Sequence, residues 1–153
     1  MTANYLPSSE STDDYFMTES TSDEYHIHAD FVVQIENEVI DLGVAELMTT
    51  SEQQRHKDVH LHDDDGDVVH MHAENISFVE FLESINIELT SDCLIVDETT
   101  HCQQENKEVT MYVNGYIWEG AVSEYVPTDL DRVLVYYGNT NDSPIADYLN
   151  SVP

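Results

Sequence analysis

The sequence predicts an α+β domain, a single mixed sheet of about seven strands with two or three short helices. Three observations carry this. Apolar and polar residues alternate with period two in several segments; a capping-box start precedes one short run at helical spacing; and Asp-Gly and Asn-Gly pairs separate alternating segments. At 153 residues the chain fits one domain, and a hydrophobic fraction of 41% suffices for one core. Residues 1–25 stand apart as an acidic, Ser/Thr-rich tail, and residues 26–153 form the histidine-rich domain.

In order, HIHADFVVQI puts Ile27, Ala29, Phe31, Val33 and Ile35 on one face of a first strand. Glu36-Asn37-Glu38 turns into a second strand over Val39–Leu42, and Val44–Gln54 is a candidate helix weakened by Thr49, Thr50 and Ser51. DVHLHDDDGDVVHMHA reads as two alternating strands around an Asp-Gly turn. Ser77-Phe78-Val79-Glu80 has the form of a capping box, with Phe78, Phe81, Leu82 and Ile85 following at helical spacing. Cys93–Val96 is a short strand, and Val109–Val113, Asn114-Gly115 and Tyr116–Trp118 make a hairpin. Arg132–Tyr137 is a last, buried-looking strand ending at Gly138, and Asp142-Ser143-Pro144 starts a short terminal helix.

The charge excludes several partners. Thirty-two acidic side chains against four basic ones give a net charge of −28. Nucleic acid and anionic membrane surfaces would be repelled, and four scattered cations release too few counterions to compensate. No apolar run approaches the roughly 20 residues that span a bilayer. The N-terminus lacks the basic start and apolar stretch of a signal peptide, so an exported protein is expected here in its mature form. The same surface attracts metal cations and stays hydrated in high salt, which makes a salt-adapted, halophilic setting one reading. The tail carries apolar beads, Tyr5, Leu6, Tyr15, Phe16, Met17 and Tyr25, that are candidate anchors on a neighbouring subunit.

Six of the eight histidines fall in His-x-His pairs: His26/His28, His60/His62 and His70/His72. Side chains at i and i+2 of a strand share a face, so each pair lies opposite its apolar neighbours. In the middle segment a three-residue Asp64-Asp65-Gly66 loop, with Gly66 left-handed, sets His60 opposite His70 and puts all four rings on one face. A two-residue Asp65-Gly66 loop sets His62 opposite Val69 and sends the pairs to opposite faces. Only the first register gathers Val59, Leu61, Val69 and Met71 on a common face, so burial favours it. Four imidazoles on adjacent strands can close on one ion, with copper or zinc the best-matched metals. His26 and His28 join them or form a second site. Calcium is possible at the acidic loop of Asp63, Asp64, Asp65 and Asp67, although the spacing misses the EF-hand pattern. His56 and His101 are expected at the surface. Glu74, just past His72, could serve as a base beside a metal-bound water, although an Ala-Glu after a strand usually carries no function.

Cys93 and Cys102 would face each other across a hairpin turning at Asp97-Glu98, so a disulfide is expected, and with it an oxidising compartment. Asn75 and Asn141 fit the glycosylation sequon. No nucleotide-binding glycine motif or nucleophile elbow occurs.

The strings HIHADFVVQIENEVIDL, HLHDDDGDVVHMHAENISFVEFLESINI, CLIVDETTHC, TMYVNG and YVPTDLDRVLVYYG resemble an uncharacterised family of exported or membrane-anchored bacterial and archaeal proteins. Its members carry an HxH N-terminal strand, an H-x-H…GDVVH-x-H hairpin and a final strand ending in Tyr-Gly. The likeness covers residues 26–138 and implies a β-grasp-like domain outside the cytoplasm, but no activity.

Three functional classes remain. The leading one is a non-catalytic extracellular protein that binds copper or zinc through His60, His62, His70 and His72, with His26 and His28. It would build a homo-oligomer or filament through its N-terminal tail. The second is a mononuclear enzyme whose three-histidine metal keeps an open coordination position. The third is an acidic, salt-adapted binding module without metal.

Overall fold

Strand β1, Ile27–Ile35, is the spine of the computed structural model, which describes residues 24–142 and Pro144. As the alternation predicts, Ala29, Phe31 and Val33 point into the main core. Along one edge β1 pairs in parallel with the last strand, β10 (Arg132–Asn139), through Asp30↔Arg132 to Ile35↔Tyr137. Along the other it pairs antiparallel with β4 (Val68–Met71) and, further on, with the short β2 (Glu38–Val39). Strand β3 (Val59–His60) extends the sheet beyond β4, and β8 (Lys107–Val113) and β9 (Tyr116–Ile117) extend it beyond β10.

The resulting seven-stranded mixed sheet has its first and last strands parallel at the centre and antiparallel neighbours outside them. This is the strand order of a β-grasp-like α+β sheet. Helix α1 (Phe78–Ser84) supplies Phe78, Phe81 and Leu82 to the core beneath it. A second, three-stranded antiparallel sheet is made of β5 (Ile87–Leu89), β6 (Cys93–Val96) and β7 (Thr99–Cys102).

Local chemistry explains the boundaries. The Ser77 hydroxyl accepts a hydrogen bond from Glu80 N at 3.1 Å and starts α1, while Asn86 ends it in the left-handed region at φ 64°. The Glu80 carboxylate turns to His56 instead of closing the capping box. Asn114 and Gly115 both have positive φ, the conformation a two-residue hairpin of this twist requires. Cys93 lies directly across from Cys102, and the two form a disulfide.

Several expectations are corrected. Only Ala45–Leu47 of the candidate helix 44–54 is helical, as one 3-10 turn, and a second such turn spans Val122–Glu124. The threonines and serine prevail: the Thr50 hydroxyl accepts from the backbone N–H groups of Glu52 and Gln53, which holds the segment in turns. The second strand is two residues, not Val39–Leu42. Strand β5 was not expected. The hairpin loop is wider than three residues, and it is Asp63 and Asp64, not Gly66, that take positive φ. Gly66 is required for another reason: a Cβ there would lie 2.2 Å from Gly43 N and 2.4 Å from Leu42 C. The loop thus packs backbone to backbone on residues 42–43. Tyr25 packs against its own chain's core. The remaining tail anchors and the rest of the terminal helix after Pro144 fall on residues outside the described ones.

Candidate metal centre

The register places the histidines. On β4, His70 is paired with His60 of β3 on one side and with His28 of β1 on the other, so three imidazoles form a row across three adjacent strands. Residues Val59, Met71 and Ile27 form the next row and face the core. Burial of that apolar row forces the histidine row onto the opposite face. The favoured register is the observed one, although the loop that produces it differs.

The outer members complete the patch. His26 precedes β1 and His72 follows β4; their rings lie 4.5 Å apart, centroid to centroid. His62 lies beyond the end of β3, and its ring is 3.8 Å from that of His70. The other separations are 4.6 Å for His26–His28, 4.4 Å for His28–His70, 4.9 Å for His60–His72, 5.6 Å for His60–His62, and 6.1 Å for both His26–His70 and His60–His70. All six pair histidines therefore share one patch. His26, His28 and His70 come closest to a ligand set, with one ring nitrogen from each lying within 4.8 Å of the others. These three can hold a metal ion.

The patch is electrostatically suited to neutral, electron-donating rings. Burial lowers the affinity of His70 for a proton, and the neighbouring His62, His28, His60 and His26 lower it further, to a pKa of about 4. His60 is lowered by burial and then by His72, His62 and His26. His72 is lowered by burial and then by His26, with Glu24 opposing. Nδ1 of His60 and Nδ1 of His70 are both buried with no hydrogen-bond partner. Two orphaned nitrogens in one patch are costly unless something donates to them or accepts their electron pairs.

Supporting contacts hold the first strand in place. Asp129 Oδ1 accepts from His28 N at 3.0 Å, and His28 O accepts from Leu130 N at 2.7 Å. The loop is tied down by buried Asp131, which accepts from Tyr125 Oη, Thr128 N and Asn114 Nδ2 at 2.8–2.9 Å. Burial alone would raise the Asp131 carboxyl, but these bonds outweigh it and hold the pKa below the usual value.

The other site expectations fare differently. Asp63, read as a calcium donor, holds His62 Nδ1 at 2.5 Å, and Asp65 accepts from Asp67 N within its own loop. Among the described residues the loop carboxylates form no close ligand group. His56 is half-buried beside Glu80, and half-buried His101 lies against the Tyr137 ring. Glu74 and both sequon asparagines, Asn75 and Asn141, are exposed. Asp129, Asp131 and the pairing of Asp63 with His62 have no counterpart in the sequence reading; only adjacency to a histidine hinted at Asp63. Comparison of the chain with protein-family models, with curated proteins and with solved structures returned no match.

Proposed function

We propose that this is an extracytoplasmic, non-catalytic protein that binds a divalent transition metal, copper or zinc, on its histidine patch. The observation that carries the reading is the convergence of His26, His28 and His70, with buried, unpartnered nitrogens on His60 and His70. A metal ligand must be a neutral imidazole, and His60, His70 and His72, whose proton affinity is already lowered, pay little to shed a proton. The acidic body, with a net charge of −28, raises the local concentration of cations without competing as a soft ligand. Imidazole donors favour copper and zinc over calcium or magnesium. The Cys93–Cys102 disulfide and the family resemblance support a location outside the cytoplasm. No helix among the described residues is long and apolar enough to cross a membrane.

Calorimetric titration with Zn(II) and with Cu(II) at about pH 7.5, in salt strong enough to suppress carboxylate binding, tests the proposal. Wild type is expected to bind with micromolar or tighter affinity, and His70→Ala to weaken binding at least tenfold. Absence of binding by wild type, or no loss in His70→Ala, overturns it.

A further inference from the structure

A four-coordinate ion accepts at most four protein nitrogens, and each neutral imidazole offers one electron pair. Six rings in one patch therefore exceed what one such ion can use. A nitrogen bound at about 2.0–2.1 Å puts its ring centroid about 3.2 Å from the ion, so two rings at the tetrahedral angle on one ion lie about 5 Å apart.

The patch is longer than one such spacing: His26–His70 and His60–His70 are each 6.1 Å apart. His26, His28 and His70 form the first set because one nitrogen of each approaches those of the other two, with the His28 ring 4.6 Å from His26 and 4.4 Å from His70. His60 is left flanked by His72 at 4.9 Å and His62 at 5.6 Å, a looser group than the first, whose rings would have to turn to bring their nitrogens onto an ion. The two sets touch at His62–His70, 3.8 Å apart, and at His26–His72, 4.5 Å apart. Two further features favour a second ion. The buried, unpartnered His60 Nδ1 lies outside the first set. Asp63 Oδ2 engages His62 Nδ1, which leaves Nε2 as the free ligand atom in the carboxylate–histidine arrangement that orients metal-binding imidazoles.

We infer that the patch is a two-ion site, with the second ion held by His60, His62 and His72 beside the one held by His26, His28 and His70. This rests on the metal-binding reading above and adds to it a stoichiometry and a ligand set. A pair of adjacent ions, each on three nitrogens, keeps a coordination position open on each for a shared bridging anion such as hydroxide.

The test is equilibrium dialysis of the full chain against Zn(II) in high salt, followed by elemental analysis. Wild type is expected to retain two ions per chain. The double variants His26→Ala/His28→Ala and His60→Ala/His62→Ala are each expected to retain one. With Cu(II) loading, wild type should show a dipole-coupled electron paramagnetic resonance spectrum, and both double variants an isolated-ion spectrum. The wild-type stoichiometry and spectrum require no variant to fold. One ion in wild type with an uncoupled spectrum overturns the two-ion inference and leaves the metal-binding reading intact. No ion in wild type overturns both. Loss of both ions in a double variant that keeps its circular-dichroism spectrum refutes the division into two sets.

Discussion

Acidification should destabilise the metal-free protein through His70, and the size of the effect follows from its surroundings. In the folded chain burial and four neighbouring imidazoles hold the ring at a pKa of about 4, against an ordinary value of 6.5. Between those values the unfolded chain binds a proton that the folded chain refuses. Stability therefore rises with pH across this window and is lost as pH falls through it. Fully expressed, the separation corresponds to roughly 3 kcal/mol. The ring is still partly open to solvent, so screening reduces the expected share to about 1–2 kcal/mol. Carboxylates titrate in the same range, and their protonation relieves self-repulsion in this acidic chain. The informative quantity is thus a difference between two proteins. Urea unfolding of wild type and His70→Gln, both stripped of metal by chelator, would be measured at about pH 7 and about pH 4.5 at equal ionic strength. Wild type should lose about 1–2 kcal/mol more than the variant on acidification. Identical pH dependence in the two proteins would refute the claim that His70 is held neutral by its neighbours.

Three other perturbations probe the frame around the site. Replacing Cys93 and Cys102 by alanine removes a bridge across a short hairpin and should cost roughly 2–3 kcal/mol in denaturant unfolding under oxidising conditions. Reductant should bring wild type to the variant's stability. Gly66→Ala drives a methyl group into the backbone of Leu42 and Gly43; a loss of about 2 kcal/mol or more is expected, read as a lower thermal midpoint. Raising sodium chloride from about 0.05 M to about 1 M should raise the melting temperature of the metal-free chain, because screening shrinks the repulsion among 32 acidic side chains opposed by only four basic ones. A flat or falling midpoint would show that this charge is already balanced within the fold.

Some of the architecture was written into local pattern. The alternation of β1, the start of α1 at Ser77, the Asn114-Gly115 turn and the Cys93–Cys102 pairing each depend on residues close in sequence, and each forms as expected. The facing of His60 and His70 was also legible, because only one register buries Val59, Leu61, Val69 and Met71 together. Other elements were hidden by competing periods. Ile85 and Leu89 continue the helical spacing of Phe78, Phe81 and Leu82, which masks strand β5 until the positive φ of Asn86 breaks the helix. The 44–54 segment has enough helix formers to suggest a helix, yet its hydroxyls bond the backbone in turns instead.

By itself, then, the sequence determined that six histidines would stand on polar faces of extended segments and that the chain's charge would draw cations. Tertiary structure alone decided that the His26/His28 pair shares the face of the other four. The parallel docking of β1 against β10 leaves its other edge for β4, and that pairing, between residues some forty positions apart, sets His28 beside His70. No local pattern encodes which strand edge meets which. That choice belongs to the core, where Phe31 on β1 packs against Phe78 and Phe81 of α1.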